Sequence, residues 1–151
     1  MYLIGVHMNK LLILPISTLL LIGCTHEKKP EPKEYDYVDV VDLTICWNDI
    51  LSVNSDKYFT YIYSKTCSHC SEIKQEVITY ALANFGELYF VEFNKDITII
   101  NDRTIVLEKD KVENLGIVGT PSMFLIENHV VKENYVGKKE IVNTLTNDYQ
   151  L

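Results

Sequence analysis

The sequence predicts an α/β domain with a central mixed sheet of about five strands flanked by helices, and three observations predict it. "YFTYIYS" (58–64) and "ELYFVEFN" (87–94) are short runs of aromatic and β-branched residues with a helical segment between them. "TPSMFLIEN" and "HVVKENYVG" (120–137) meet at a short turn, as a β-hairpin does. "KKEIVNTLTNDY" (138–149) then closes the chain with apolar residues at helical spacing.

The remaining elements follow in chain order. "YVDVVDL" (37–43) alternates loosely and is expected as an edge strand. "TICWNDILSVNS" (44–55) places Ile45, Trp47, Ile50, Leu51 and Val53 at mostly helical spacing, with Thr44 available as N-cap. "SEIKQEVITYALANFG" (71–86) puts Ile73, Val77, Tyr80 and Ala81 on one helical stripe, and Gly86 is placed to end it. Residues 96–108 look like an insertion without a readable pattern, and a short helix is expected near Asp110 to Leu115.

The first 35 residues are of another kind. Lys10 precedes "LLILPISTLLLIG", an apolar run broken by Pro15 and too short to span about 30 Å of bilayer as a helix. It reads as a signal-peptide h-region, and "MNKLLILP" from Met8 reads as a natural start. "LIGC" at its end resembles the lipobox of bacterial lipoproteins, which implies acylation of Cys24 and removal of residues 1–23. "THEKKPEPKEYD" cannot bury enough apolar surface to order itself, so 24–35 is expected as a flexible tether and 36–151 as the folded domain. Several acyl chains give a durable membrane anchor, since each buried methylene contributes about 0.8 kcal/mol. The domain would then work outside the cytoplasm, where disulfides persist.

Composition narrows the function. Of the 151 residues 47% are hydrophobic, enough for one core, and the formal net charge of -7 lacks the basic surface that nucleic-acid binding requires. Two thiols stand two residues apart in "TCSHCSE" (66–72), where a strand hands over to a helix. A C-x-x-C pair is a redox couple, half a zinc site or two core cysteines. The helix start offers unpaired N–H groups and a partial positive charge, both of which favour a thiolate.

"YIYSKTCSHC" with its helix, "VGTPSMFLI" about fifty residues on, and the closing hairpin and helix together resemble the thioredoxin superfamily, in its extracytoplasmic branch, over about Tyr35 to Leu151. That resemblance implies a thioredoxin fold and a thiol–disulfide oxidoreductase that needs no cofactor. Cys67 would be the nucleophile and Cys70 the resolving thiol. Pro121 would be the cis-proline packed against the sulfurs, and Thr120 would offer its backbone to a substrate strand. "CSHC" is similar to the C-P-H-C of DsbA-type oxidases, with His69 in the histidine slot and Ser68 in place of proline. The buried aspartate of thioredoxins, six residues before the first cysteine, is replaced by Tyr61, and the tryptophan before the motif by Thr66. Glu92 falls where the family carries a lysine; it is expected to be partly buried near Cys70 and to relay its proton. Cys46 is expected as a buried, inert thiol.

The partners implied are exported protein thiols or disulfides and a membrane redox partner, with the chain a monomer and the reaction running in either direction. Two other classes compete. A soft-metal module would use Cys67, Cys70 and His129, and a non-catalytic domain would hold extended peptides along the Pro121 groove.

Overall fold

A computed structural model describes residues 33–148. The expected signal peptide, Cys24 and most of the expected tether lie outside the described residues. No helix among those described is long and apolar enough to cross a membrane.

Among the described residues the sheet has four strands: β1 Lys57–Tyr63, β2 Leu88–Glu92, β3 Ser122–Glu127 and β4 Val130–Val136, in the order β2-β1-β3-β4. β1 pairs parallel with β2 and antiparallel with β3, and β3 antiparallel with β4. The helices are α1 Ser68–Glu72, α2 Lys74–Leu82 and α3 Lys138–Asp148. β1 is buried on both faces because strands flank it on both sides and cover lies above and below. Its alternation sends Phe59, Tyr61 and Tyr63 to one face, where they pack with Val77, Ile78, Ala81, Ile141 and Leu145 of α2 and α3. Tyr58 and Ile62 go to the other face, against Trp47, Ile50, Ile97, Val106 and Leu115. This second face is covered by loops and 3-10 turns.

The predicted fifth strand is the main correction. Residues 37–43 form a 3-10 segment, Tyr37–Leu43, because Asp36 caps it: its carboxylate accepts from the Tyr37 N–H, and the Asp39 carboxylate accepts from the Asp36 N–H. Only Val40 of the segment is buried, so the apparent alternation carries no strand. Sheet pairing survives as one parallel bridge between Thr44 and Phe90. The expected helix over 44–55 shrinks to the 3-10 turn Trp47–Asp49, and the Thr44 hydroxyl donates backward to the Val40 carbonyl instead of capping it. Ordered structure also begins earlier than residue 36: the Tyr35 backbone exchanges two hydrogen bonds with the Gln75 side chain.

The helix after the cysteines breaks at Ile73 (φ -109°, ψ 7°), giving two pieces where one was expected. It ends at Leu82, and Asn84, at φ 54°, takes the left-handed position assigned to Gly86. The insertion is anchored: Ile97 and Val106 are buried, and Ile99 bridges Ile117. A Cβ on Gly116 would stand 2.8 Å from the Thr98 carbonyl oxygen, so only glycine lets these two segments approach. The helix expected near 110–115 is the 3-10 turn Val112–Asn114. Asn128 and His129, both with positive φ, make the two-residue hairpin turn.

Candidate active site

β1 ends at Tyr63, and four residues later the chain turns into α1 with Cys67 as its N-cap. The Cys67 N–H donates to the Ser64 carbonyl at 3.1 Å, which fixes the turn. The Cys70 N–H points back at Cys67 Sγ, 3.2 Å away, using one of the amides that a helix start leaves without a partner. Such a donor stabilises negative charge on that sulfur. Cys67 and Cys70 are joined in a disulfide, with Cα atoms 5.3 Å apart. Cys67 is half-buried and reachable, whereas Cys70 is 0% exposed. An incoming thiol or disulfide therefore meets Cys67.

The loop before β3 supplies the other wall. The Thr120–Pro121 peptide is cis, and the Thr120 carbonyl oxygen lies 3.3 Å from Cys67 Sγ. Ser122 Oγ donates to the Gly119 carbonyl and the Gly137 N–H to the Pro121 carbonyl, which tie this loop to β3 and β4. Cys67, Cys70, Thr120 and Pro121 thus converge from residues about fifty positions apart.

Two predicted groups are exposed and engage other side chains. Glu92 ends β2 exposed, with its carboxylate 2.8 Å from Lys65 Nζ. The expected partial burial, on which a relay role rested, is absent; the strand's last residue emerges at the sheet edge and finds a solvent-side lysine. His69 is exposed on α1, its Nδ1 3.3 Å from Glu72 Oε1, with Lys138 of α3 on the other carboxylate oxygen. The Lys138 ammonium, and then the His69 ring, hold the Glu72 carboxyl below the usual glutamate range. Because this group is more acidic in the folded chain than in the unfolded one, its contribution to stability is complete above the ordinary value of 4.5. It is lost as pH falls through the lowered folded-state value. Glu72→Gln is expected to flatten that acid limb slightly, the pair being exposed and screened; urea midpoints from roughly pH 6 to pH 3 measure it.

Cys46 is exposed, not buried, because the turn at Trp47–Asp49 leaves it on the outer side while Trp47 turns inward. His129 Nδ1 donates to the Leu51 carbonyl at the hairpin tip, the far end of β3 from Pro121. A strand that long separates it from Cys67 by roughly 20 Å, so the soft-metal set of two cysteines and His129 does not assemble. No group of three or more metal-ligating side chains occurs among the described residues.

The sequence did not reveal the N-terminal wall. Asp36, Tyr37, Lys65, Cys67, Ser71 and Lys74 line a cleft of about 330 Å³ beside the reactive sulfur. The Asp36 carboxyl is held below its usual range, first by the Tyr37 N–H and then by Lys74, 3.1 Å away. No local pattern signals a pair 38 residues apart. Beneath the cleft the Tyr37 ring stacks on Tyr63 at 3.7 Å, and burial, helped by Glu92, pushes the Tyr63 phenol up to about 12.

No family model matches the chain, and no curated protein does. Similar solved structures include thioredoxin f2 of Chlamydomonas reinhardtii, at 16% identity over 71% of this chain and 94% of that one, TM-score 0.47. Mitochondrial thioredoxin 3 of Saccharomyces cerevisiae in its oxidized form is 13% identical over 71% and 92%, TM-score 0.46. Plasmodium falciparum thioredoxin is 9% identical over 71% and 95%, TM-score 0.44. The strand order β2-β1-β3-β4, with one parallel pair, a closing hairpin and helix, and a cysteine pair where β1 hands over to α1, gives this chain a thioredoxin fold.

Proposed function

We propose that the chain is a membrane-tethered thiol–disulfide oxidoreductase acting on exported proteins through Cys67 and Cys70. One observation carries the chemistry: an accessible helix-capping sulfur that receives an amide N–H, coupled to a buried second sulfur three residues on. As a thiolate, Cys67 attacks one sulfur of a substrate disulfide and the other substrate sulfur leaves with the electron pair. Cys70 then loses its proton and attacks Cys67 Sγ, releasing the second substrate thiolate and closing the Cys67–Cys70 disulfide. The reverse sequence oxidises a substrate dithiol. Thr120 borders the attacked sulfur, so its backbone is the surface on which a substrate strand would lie.

The extracytoplasmic placement rests on the "LIGC" sequence and the charged, proline-containing stretch after it. Acylated Cys24 would hold the domain at the outer face of a bacterial membrane, near exported substrates and a membrane redox partner. Reduction of insulin by the wild-type chain tests the chemistry, and its absence ends the reading. Lipid labelling of the wild type against Cys24→Ala tests the anchor: the reading needs label on the first and none on the second.

A further inference from the structure

The cleft beside the reactive sulfur has a lining that disulfide exchange by itself does not require. Cys67 lines it, and another part of its wall comes from Tyr37 and Val38 of the N-terminal segment. Val38 is 78% exposed, the most exposed large apolar side chain among the described residues. A single exposed valine is ordinary, but this one shares a cavity with the attacking atom. Its place is held on both sides: the Asp36 cap sets the turn and is bonded to Lys74, and the Tyr37 ring is stacked on Tyr63. The two lysines of the cleft already have carboxylate partners, Lys74 Nζ at 3.1 Å from Asp36 and Lys65 Nζ at 2.8 Å from Glu92. The cleft therefore presents matched charge, and an acidic or basic side chain entering it finds no counterion left over.

Whatever bonds to Cys67 must pass beside this cavity. In a mixed disulfide the substrate sulfur sits about 2 Å from Cys67 Sγ. Side chains alternate along an extended strand, so those two positions from the substrate cysteine point toward the enzyme with it, roughly 7 Å along the chain. A cleft of about 330 Å³ next to the sulfur has room for one such side chain. Resting on the redox reading above, we infer that the cleft is a substrate subsite with Val38 as its specificity-determining residue, and that it takes a large apolar side chain two positions from the cysteine of an extended polypeptide. Burying that side chain against Val38 and the Tyr37 ring removes apolar surface of both partners from water, which favours the complex. The Thr120–Pro121 loop forms no part of this lining and offers its backbone to the strand, so the choice of side chain falls to the N-terminal segment.

The test uses the full chain carrying Cys70→Ala, so that the adduct at Cys67 is not resolved. Acetylated and amidated five-residue peptides carry a central cysteine activated as its mixed disulfide with nitrothiobenzoate. Leucine, asparagine, glutamate or lysine stands two positions before or after it, with glycine elsewhere. The Cys67 thiolate attacks the peptide sulfur, the S–S bond of the reagent breaks, and nitrothiobenzoate, the more acidic thiol, leaves with the electron pair. Quenching and mass of the tryptic peptide spanning residues 66–74 count adduct at Cys67 and not at the exposed Cys46. Each rate is divided by that of the same peptide with free cysteine, which removes intrinsic reactivity. At one of the two positions leucine should react about tenfold faster than asparagine, the gain from largely burying one apolar side chain. Glutamate and lysine should react no faster than asparagine. Val38→Ser should bring the ratio of leucine to asparagine below about threefold, and Val38→Ile should keep it; the side chain is largely exposed, so both variants retain the fold. The ratio cancels any change in thiolate reactivity, which is common to all the peptides. A ratio below about threefold at both positions with Val38 in place, a ratio that Val38→Ser leaves intact, or a preference for either charged peptide overturns the inference. Adducts formed without selectivity refute the subsite alone, whereas no adduct with any peptide refutes the redox reading with it.

Discussion

Cys67→Ala is expected to bring insulin reduction down to the uncatalysed background, while Cys70→Ala retains the first attack and accumulates a mixed disulfide with substrate. The asymmetry follows from exposure: the outer sulfur is reachable and receives the Cys70 N–H, whereas the inner one is sealed. Resolution in the wild type is intramolecular, and a well-oriented neighbouring group acts with an effective concentration of roughly 10⁵ M or more. Without Cys70, resolution depends on external thiol at millimolar levels, so decay of the mixed disulfide should slow by at least about a thousandfold. Stopped-flow or quenched alkylation with mass detection follows both steps. Equal loss of the first step in the two variants would contradict the assignment, since it would make the buried sulfur the attacking one. The trapped adduct also identifies the substrate.

The placement of the two cysteines was legible in the sequence, and the reason is local. A strand of aromatic and β-branched residues, a cysteine at a helix start and a second one turn inside are all set by neighbours in sequence, and so are the hairpin and α3. What stayed hidden depends on distant partners. Residues 37–43 alternate weakly enough for strand or turn, and the capping box at Asp36 together with Gln75, forty positions away, decides for the 3-10 segment. Glu92 is expected near Cys70 only from the resemblance, and a place at the end of a strand does not fix whether the side chain meets core or solvent. Cys46 inverted for a related reason: helical spacing would have carried it inward, and a three-residue turn does not. The Tyr37 wall of the site was lost with the misread segment.

Phe90→Ala is expected to cost about 3–5 kcal/mol, the range for truncating a buried phenylalanine and a large share of the roughly 5–15 kcal/mol that holds a domain folded. Phe90 is fully buried, sits opposite Tyr61 in the parallel β1–β2 register, and meets Tyr37, Tyr61 and Tyr63 edge-on at 6.4, 5.9 and 6.3 Å. Its carbonyl also accepts the Ile45 N–H at 2.9 Å, a hydrogen bond that ties the N-terminal segment to the sheet. The backbone bond survives the substitution, but the ring on which three tyrosines converge does not, so the vacated space lies directly under the cleft beside Cys67. Phe90→Leu keeps most of the volume and should cost less than about 1.5 kcal/mol. Urea titration of the oxidised chain measures both. A loss below about 1 kcal/mol for the alanine variant would show that the tyrosines close over the gap and that the floor of the site does not depend on this ring. At the expected loss, Tyr37 should loosen together with stability, and trypsin cleavage at Lys33 should speed up in Phe90→Ala well before global unfolding, because the segment holding Tyr37 is packed on that ring.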